Sequence, residues 1–479
     1  MRKNILLLLL NCSFIFTNAQ NTQGYQINLQ SNYKSGIVYL TYYMGKDFMV
    51  QDSAAVSNNG KAIFKSPIKL VAGIYSIIFP GKRLSTDFLV DKEQIITIVA
   101  DTNKLDKTVV SGSQANILFR EYQAFVSIKG KILQTEKKAF NESKTKADSL
   151  KHEAIYKKES AVLNDYRENI VKNKATSMLA VLLNAMREPA YPTQVPVTRQ
   201  DTINNFNFYK AHYWDGITFM EDRIIRTPFF LPKLETYYRD VMRGLPTDSV
   251  VKDIDYKMLL ARNAPEMYKF LLNWLTDEYI NPKFMGQDAI FVHLYNQYHS
   301  KGVSKWLTKY QDSVVTRRAF MLMSNLVGES AANLDFVDTA GKQKPLYDLK
   351  SDYTLVVFYD PNCGHCKEEI PRIDSFYRAS WQEKGLKIYA ALSESEKLKA
   401  EWLSFIKAKH IEDWTNVYQS KESIADDIKF NRPSFRQLYD VVVTPTIYLL
   451  DKDKRIIAKK LTLEQINDLL IVKIKSNKN

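Results

Sequence analysis

The chain has 479 residues, 45% of them hydrophobic and 25% charged, the balance of a globular protein too long for one compact core. Its 16 glycines and 15 prolines exclude collagen-like and low-complexity architectures. The formal charge of +14 is scattered, with no long Lys/Arg run and no Cys/His finger spacing, so no nucleic-acid partner is expected.

Met1 to Ala19 has the three parts of a secretory signal. Arg2 and Lys3 start it, Ile5 to Phe16 is mostly apolar, and Thr17-Asn18-Ala19 puts small residues at the cleavage point. The apolar stretch is shorter than the roughly 20 residues of a spanning helix, and no later segment qualifies, so the mature chain is expected to have no transmembrane span. Cys12 could be read as a lipid-anchor cysteine, but Asn11 fits poorly before it; cleavage after Ala19 is favoured. The mature chain then keeps Cys363 and Cys366. Such a close pair closes almost no loop and stabilises little, so it points to chemistry rather than stapling.

Residues 20–112 read as an all-β, sandwich-like domain. Short runs at Tyr25–Leu29, Ile37–Tyr43, Phe48–Val56, Ile74–Phe79 and Gln94–Val99 are separated by turn residues such as Asn58-Asn59-Gly60 and Pro80-Gly81. No titratable cluster lies there. At Ser113, a helix cap, the period changes: Leu118, Tyr122, Phe125, Ile128 and Ile132 form a helical stripe. Residues 134–174 are expected as one long charged helix with a thin stripe through Phe140, Ala147, Leu150 and Ala154. Pro189, Pro192 and Pro196 interrupt, and helical periods resume over 205–327, giving an all-α domain over 113–330. Residues 331–479 hold 24 basic and 22 acidic residues, so most of the positive charge lies before them. That charge suits general solubility or attraction to an anionic envelope surface or acidic partner.

From Ala331 the pattern becomes α/β. A hairpin around Thr339-Ala340-Gly341 precedes Thr354–Tyr359, a continuous apolar run of the kind found in a buried central strand. A helix from about Cys363, a strand at Leu386–Leu392 and a helix through Leu398–Lys409 follow. Val441–Val443, Thr446–Leu450 and Arg455–Lys459 are further strands, and Thr462 to Gln465 has capping-box spacing for a last helix.

Cys363-Gly364-His365-Cys366 follows the buried strand and opens the helix. Unpaired N–H groups and the positive helix end would stabilise a thiolate on Cys363, and a protonated His365 would add to this. Cys366, one turn on, could then attack a mixed disulfide. A zinc site lacks a fourth ligand, because no second CxxC or HxxxH exists, and His152, His212, His293, His299 and His410 form no metal spacing. No metal and no cofactor is expected.

The strand Thr354–Tyr359, the Cys363–Cys366 motif, Glu369-Ile370-Pro371 and Thr444-Pro445-Thr446 together resemble the thioredoxin superfamily, and its TlpA/ResA-like envelope branch in particular. The resemblance covers residues 331–479 and implies a C-terminal thioredoxin fold with no cofactor. It implies Cys363 as nucleophile, Cys366 as resolving thiol, and Gly364 and His365 as the dipeptide tuning the potential. Pro445 would be a cis-proline exposing the Thr444 backbone to substrate, and Glu369 a manager of protons for Cys366. Val357 stands where thioredoxin has a buried Asp, so that role passes to Glu369. The Gly-His dipeptide is that of disulfide isomerases, whereas the branch favours reduction. A peroxiredoxin reading fails because Asp360 stands where that chemistry needs Thr. The three-domain arrangement resembles Gram-negative envelope proteins whose first two domains are uncharacterised. The expected function is thiol–disulfide exchange with protein substrates in the periplasm or envelope, supplied by a membrane or envelope electron donor. The competing expectation is a binding or scaffold protein whose N-terminal domains recognise a partner and whose thioredoxin module is auxiliary.

Overall fold

The computed structural model describes residues 24–192, 194–394 and 396–476, so the expected signal segment and Cys12 lie outside the described residues. The chain divides into two compact units. One holds the described residues up to Arg243 with Asn263–Met267; the other holds Gly244–Arg262 and the chain from Tyr268 onward.

In the first unit, β1 (Tyr25–Ser31), β2 (Ile37–Met44), β3 (Asp47–Ala55), β4 (Lys61–Ser66), β5 (Gly73–Ile78), β6 (Ser85–Val90), β7 (Ile95–Ala100) and β8 (Val109–Ser111) form two four-stranded sheets, ordered β4-β1-β7-β8 and β3-β2-β5-β6. Alternation explains the layering. Tyr25, Ile27 and Leu29 of β1 point into one core with Val38 and Leu40 of β2 and Phe88 and Val90 of β6, while Leu89 between the last two is buried on the opposite face against the helices. This is the β-sandwich read from the sequence.

Helices α1 (Gln114–Glu142), α2 (Lys146–Asn173), α3 (Met178–Ala185), α4 (Arg199–Ala211) and α5 (Phe230–Thr236) complete this unit. Ser113 caps α1, accepting from the Asn116 amide, and the Asn116 side chain bonds both backbone groups of Leu89, fixing α1 to β6. The single helix expected over 134–174 is two. Ser143 turns extended and Thr145 opens α2 by accepting from the Asp148 amide, so the chain reverses into a helix pair joined by Lys129–Glu159 at 2.6 Å and Glu136–His152 at 2.7 Å. The expected stripe is not the buried face: Phe140 and Leu150 are exposed, whereas Leu163 and Ile170 are buried.

In the second unit, α6 (Thr247–Ala261), α7 (Pro265–Tyr279, from Tyr268), α8 (Gln287–Leu294) and α9 (Lys309–Met323) precede a six-stranded sheet. Its elements are β9 (Val337–Asp338), β10 (Tyr353–Tyr359), α10 (Gly364–Phe376), β11 (Leu386–Leu392), α11 (Lys399–Lys409), β12 (Thr415–Tyr418), α12 (Lys421–Lys429), α13 (Phe435–Leu438), β13 (Thr446–Asp451), β14 (Ile456–Lys459) and α14 (Leu463–Ser476). The order is β14-β13-β10-β11-β12-β9, with β10, β11 and β12 parallel and β13 and β14 antiparallel. Every residue of β10 is buried because both faces are covered. Leu355, Val357 and Tyr359 pack toward α10, α11 and α14; Val356 and Phe358 pack on the other face against Phe435 and Tyr439. Thr462 and Gln465 form the capping box of α14. Val441–Val443, expected as a strand, is a loop: the Val441 and Val442 N–H groups bond the Arg436 and Asp440 carbonyls instead of joining the sheet.

Two ion pairs hold α8 to β14 and α9 to the loop after α13. Lys459 lies 2.5 Å from Asp288, both side chains 2% exposed, and also donates to the Asn325 carbonyl at 2.6 Å. Arg318 of α9 makes a bidentate contact with Asp440. No helix among the described residues is long and apolar enough to cross a membrane.

Candidate functional site

β10 ends at Tyr359, and Asp360-Pro361-Asn362 turns the chain, the Cys363 amide bonding the Asp360 carbonyl at 3.1 Å. Cys363 is the N-cap of α10 and half-buried; Cys366 lies one turn inside and is fully buried. Both are free thiols. The sulfur of Cys363 meets the Thr444 carbonyl at 3.3 Å, and the Thr444–Pro445 peptide bond is cis. The structure thus brings together Cys363, Cys366, Thr444 and Pro445, contributed by the start of α10 and the loop that leads into β13.

The two thiols sit in opposite electrostatic settings. A hydrogen bond from the Thr444 side chain draws the Cys363 pKa below the ordinary thiol value, and the Cys366 amide and thiol reinforce this. The Thr444 carbonyl, an acceptor, favours the protonated form, but the donors outweigh it. The amide contribution is that of the helix end rather than a formed cap, since the Cys363 side chain accepts no capping hydrogen bond. Cys366 is pushed up to about 12, chiefly by burial. It shares an apolar cluster with Val357, Ile370 and Tyr359, so a thiolate there would have little to solvate it.

The remaining expected residues lie around this pair. Gly364 and His365 are exposed in the first turn of α10. Glu369 is partly buried one turn beyond Cys366 and pairs with Arg372, which also reaches Glu464 at 2.7 Å. Pro371 lies inside α10, which continues to Phe376. The five other histidines have separate partners: His152 with Glu136, His212 with Asp215, His293 with Asp255, and His299 with Thr276 and Ser304, while His410 takes a left-handed conformation at the end of α11.

Sequence reasoning missed two neighbours of the pair. Thr444 was assigned only a backbone role, yet its hydroxyl is the largest influence lowering Cys363. In the sequence Tyr359 is only the end of an apolar run. Its hydroxyl accepts from Trp402 Nε1 at 2.7 Å, and it lies close enough to Cys366 for an ionised thiol there to raise the phenol further above a pKa already elevated by burial. Nothing in an apolar run distinguishes a tyrosine with that place.

A mixed sheet between helices, carrying a dithiol at a helix start opposite a cis X-Pro bond, defines a thiol–disulfide oxidoreductase of thioredoxin-like fold. Residues 327–459 match the AhpC/TSA family, and a domain of a possible thiol-disulfide isomerase from Cytophaga hutchinsonii is 39% identical, over 32% of this chain and 96% of that one, with a TM-score of 0.28. Through its C-terminal domain the chain belongs to the thioredoxin superfamily. The thioredoxin domain of a thiol-disulfide oxidoreductase from Bacteroides vulgatus is 27% identical over 32% of this chain and 98% of that one, with a TM-score of 0.26. A thioredoxin-like protein from Bacteroides caccae is 22% identical over 60% of this chain and 98% of that one, with a TM-score of 0.46. Residues 25–119 match DUF4369, a domain of unknown function. None of the curated proteins matches the chain.

Proposed function

We propose that the protein reduces disulfides of protein substrates in the bacterial cell envelope, with Cys363 as nucleophile and Cys366 as resolving thiol. The observation that carries this is the opposed pair of thiols, one lowered and half-exposed beside Thr444, the other raised and buried. The Cys363 thiolate attacks one substrate sulfur, forming a mixed disulfide and expelling the other sulfur as a thiolate that takes up a proton. Cys366 then loses its proton and attacks the Cys363 sulfur, releasing the second substrate thiolate. Two electrons pass to the substrate and a Cys363–Cys366 disulfide remains. A dithiol donor of the membrane or envelope must reduce it again.

Gly364 and His365 set the potential in this reading. Thr444 and Pro445 present backbone to the substrate. Glu369 takes the Cys366 proton during resolution, in place of the carboxylate that Val357 lacks. Export rests on the pattern of residues 1–19. The β domain is taken as 20–112, the helical domain as 113–330 and the thioredoxin-like domain as 331–479.

The test is reduction of insulin by the full mature chain with dithiothreitol as donor. Turnover should vanish in Cys363→Ser, and Cys366→Ser should accumulate mixed disulfide. Equal turnover in the parent and Cys363→Ser would overturn the proposal.

A further inference from the structure

Beside the cis proline opens a cleft of about 440 Å³ that thiol exchange alone does not explain. Pro445 and Ile447, at and just inside the entry to β13, line one part of it, the loop residues Val442 and Val443 another, and Pro282, Lys283 and Arg318 from the helical part of the same unit a third. The loop valines are 70% and 71% exposed, so this part of the wall is both apolar and open.

The charges lining the cleft do not cancel. Lys283, Arg318, Lys459 and Lys460 face a single lining carboxylate, Asp440. Asp440 is occupied by Arg318, and Lys459 is neutralised by Asp288 behind it. Lys460 donates to the Pro282 carbonyl at 2.7 Å, which leaves its charge unmatched, and its distance to the engaged Asp440 is 3.9 Å. Lys283 is exposed and has no ion pair among the described residues. About two positive charges therefore await a counter-charge next to Pro445.

We infer that this cleft is a specificity subsite for substrate polypeptides carrying Asp or Glu close in sequence to the reactive cysteine, with Lys460 and Lys283 as the residues that select it. Thr444 touches Cys363, and the cleft begins at the next residue, so residues within about three positions of the substrate cysteine, each about 3.3 Å further along an extended chain, are the ones that pass it. The open valines suit apolar substrate residues in between. This inference rests on the thiol–disulfide reading given above.

The experiment uses the full chain and three cystine-linked peptides that differ only in carrying Glu, Gln or Lys at those positions. Hydroxyethyl disulfide, neutral and too small to span the cleft, serves as the reference substrate. Partly exposed ion pairs are weak and salt-screened, so kcat/KM should favour Glu over Gln and Gln over Lys by about three- to tenfold in all at low salt. The order should flatten at high salt and reverse in Lys283→Glu/Lys460→Glu. Lys283→Glu alone, on an exposed loop, should reduce the preference if the double variant does not fold. Equal kcat/KM for the Glu and Lys peptides, with hydroxyethyl disulfide still reduced, overturns the subsite and leaves the oxidoreductase standing. Failure to reduce any of these disulfides removes the oxidoreductase reading, and the subsite with it.

Discussion

Cys363 should be the thiol that alkylates rapidly in the reduced protein, by a margin the structure sets. Cys366 is pushed from 9.0 to about 12, three pH units that leave about a thousandfold less thiolate than an ordinary thiol and correspond to about 4 kcal/mol. At pH 8 only about one Cys366 in ten thousand would be ionised. Burial slows it further, because iodoacetamide must reach a fully covered sulfur. Quenched iodoacetamide pulses with peptide mapping from pH 5 to 9 should give Cys363 a midpoint below the ordinary thiol value and leave Cys366 unlabelled. The stability of the reduced protein carries the same signature. A group whose folded pKa lies above its unfolded one contributes stability that is whole below the unfolded value and is lost as pH rises toward the folded one. Against Cys366→Ser, the reduced parent should therefore lose a one-proton component of stability between about pH 9 and 12. Cys366 labelling at a rate comparable with Cys363, or a Cys363 midpoint at or above that of a free thiol, would refute the assignment.

Asp288→Asn should cost about 3–5 kcal/mol in urea unfolding, because Lys459 would stay buried without its counter-charge, whereas Asp288→Leu with Lys459→Met should recover most of it. His365→Pro should lower the Cys363/Cys366 reduction potential by removing an imidazolium that favours the thiolate; an unchanged or higher potential would show that His365 acts elsewhere. Glu369→Gln should slow resolution about ten- to a hundredfold and accumulate mixed disulfide while sparing the first attack. Parent-like turnover from about pH 6 to 8 would leave Glu369 as no more than the partner of Arg372.

The parts of the fold legible in the sequence were those where one physical requirement acts over a whole segment. β10 is buried on both faces, so its apolar run is unbroken; β1 and β4 of the sandwich are buried on one face, so they alternate. The break after α1 was missed because apolar residues continue at helical spacing through Phe140 and Leu150, although the structure exposes both. The competing signal was Thr145 three residues before Asp148, a start for a new helix. β12 has four residues, too short for periodicity to appear, whereas β9 falls in the hairpin expected around Thr339-Ala340-Gly341, where Val337 pairs with Gln343. Nothing in the sequence singles out Asp288, Lys459, Arg318 and Asp440, because burial of such groups depends on a partner far away in sequence.

The site divides along the same line. Placing two cysteines at a helix start is a local matter, and the sequence carries it in four consecutive residues. Making them unequal is not local. The half-exposed thiol is lowered by Thr444, which comes from the loop before β13, and the buried one is raised by a cluster drawn from β10 and α10. In the proposed reaction that inequality orders the chemistry. A half-exposed thiolate can meet a substrate, while a buried neutral thiol cannot compete for it and acts once a mixed disulfide brings an electrophilic sulfur alongside. The desolvation that keeps Cys366 silent also means that its proton must leave as it attacks. With Val357 in the strand, that proton needs another acceptor. Tyr359, its own pKa raised by burial and by Cys366, is unsuited to receive it. Glu369 is the carboxylate one turn along the same helix, and Arg372 holds it there.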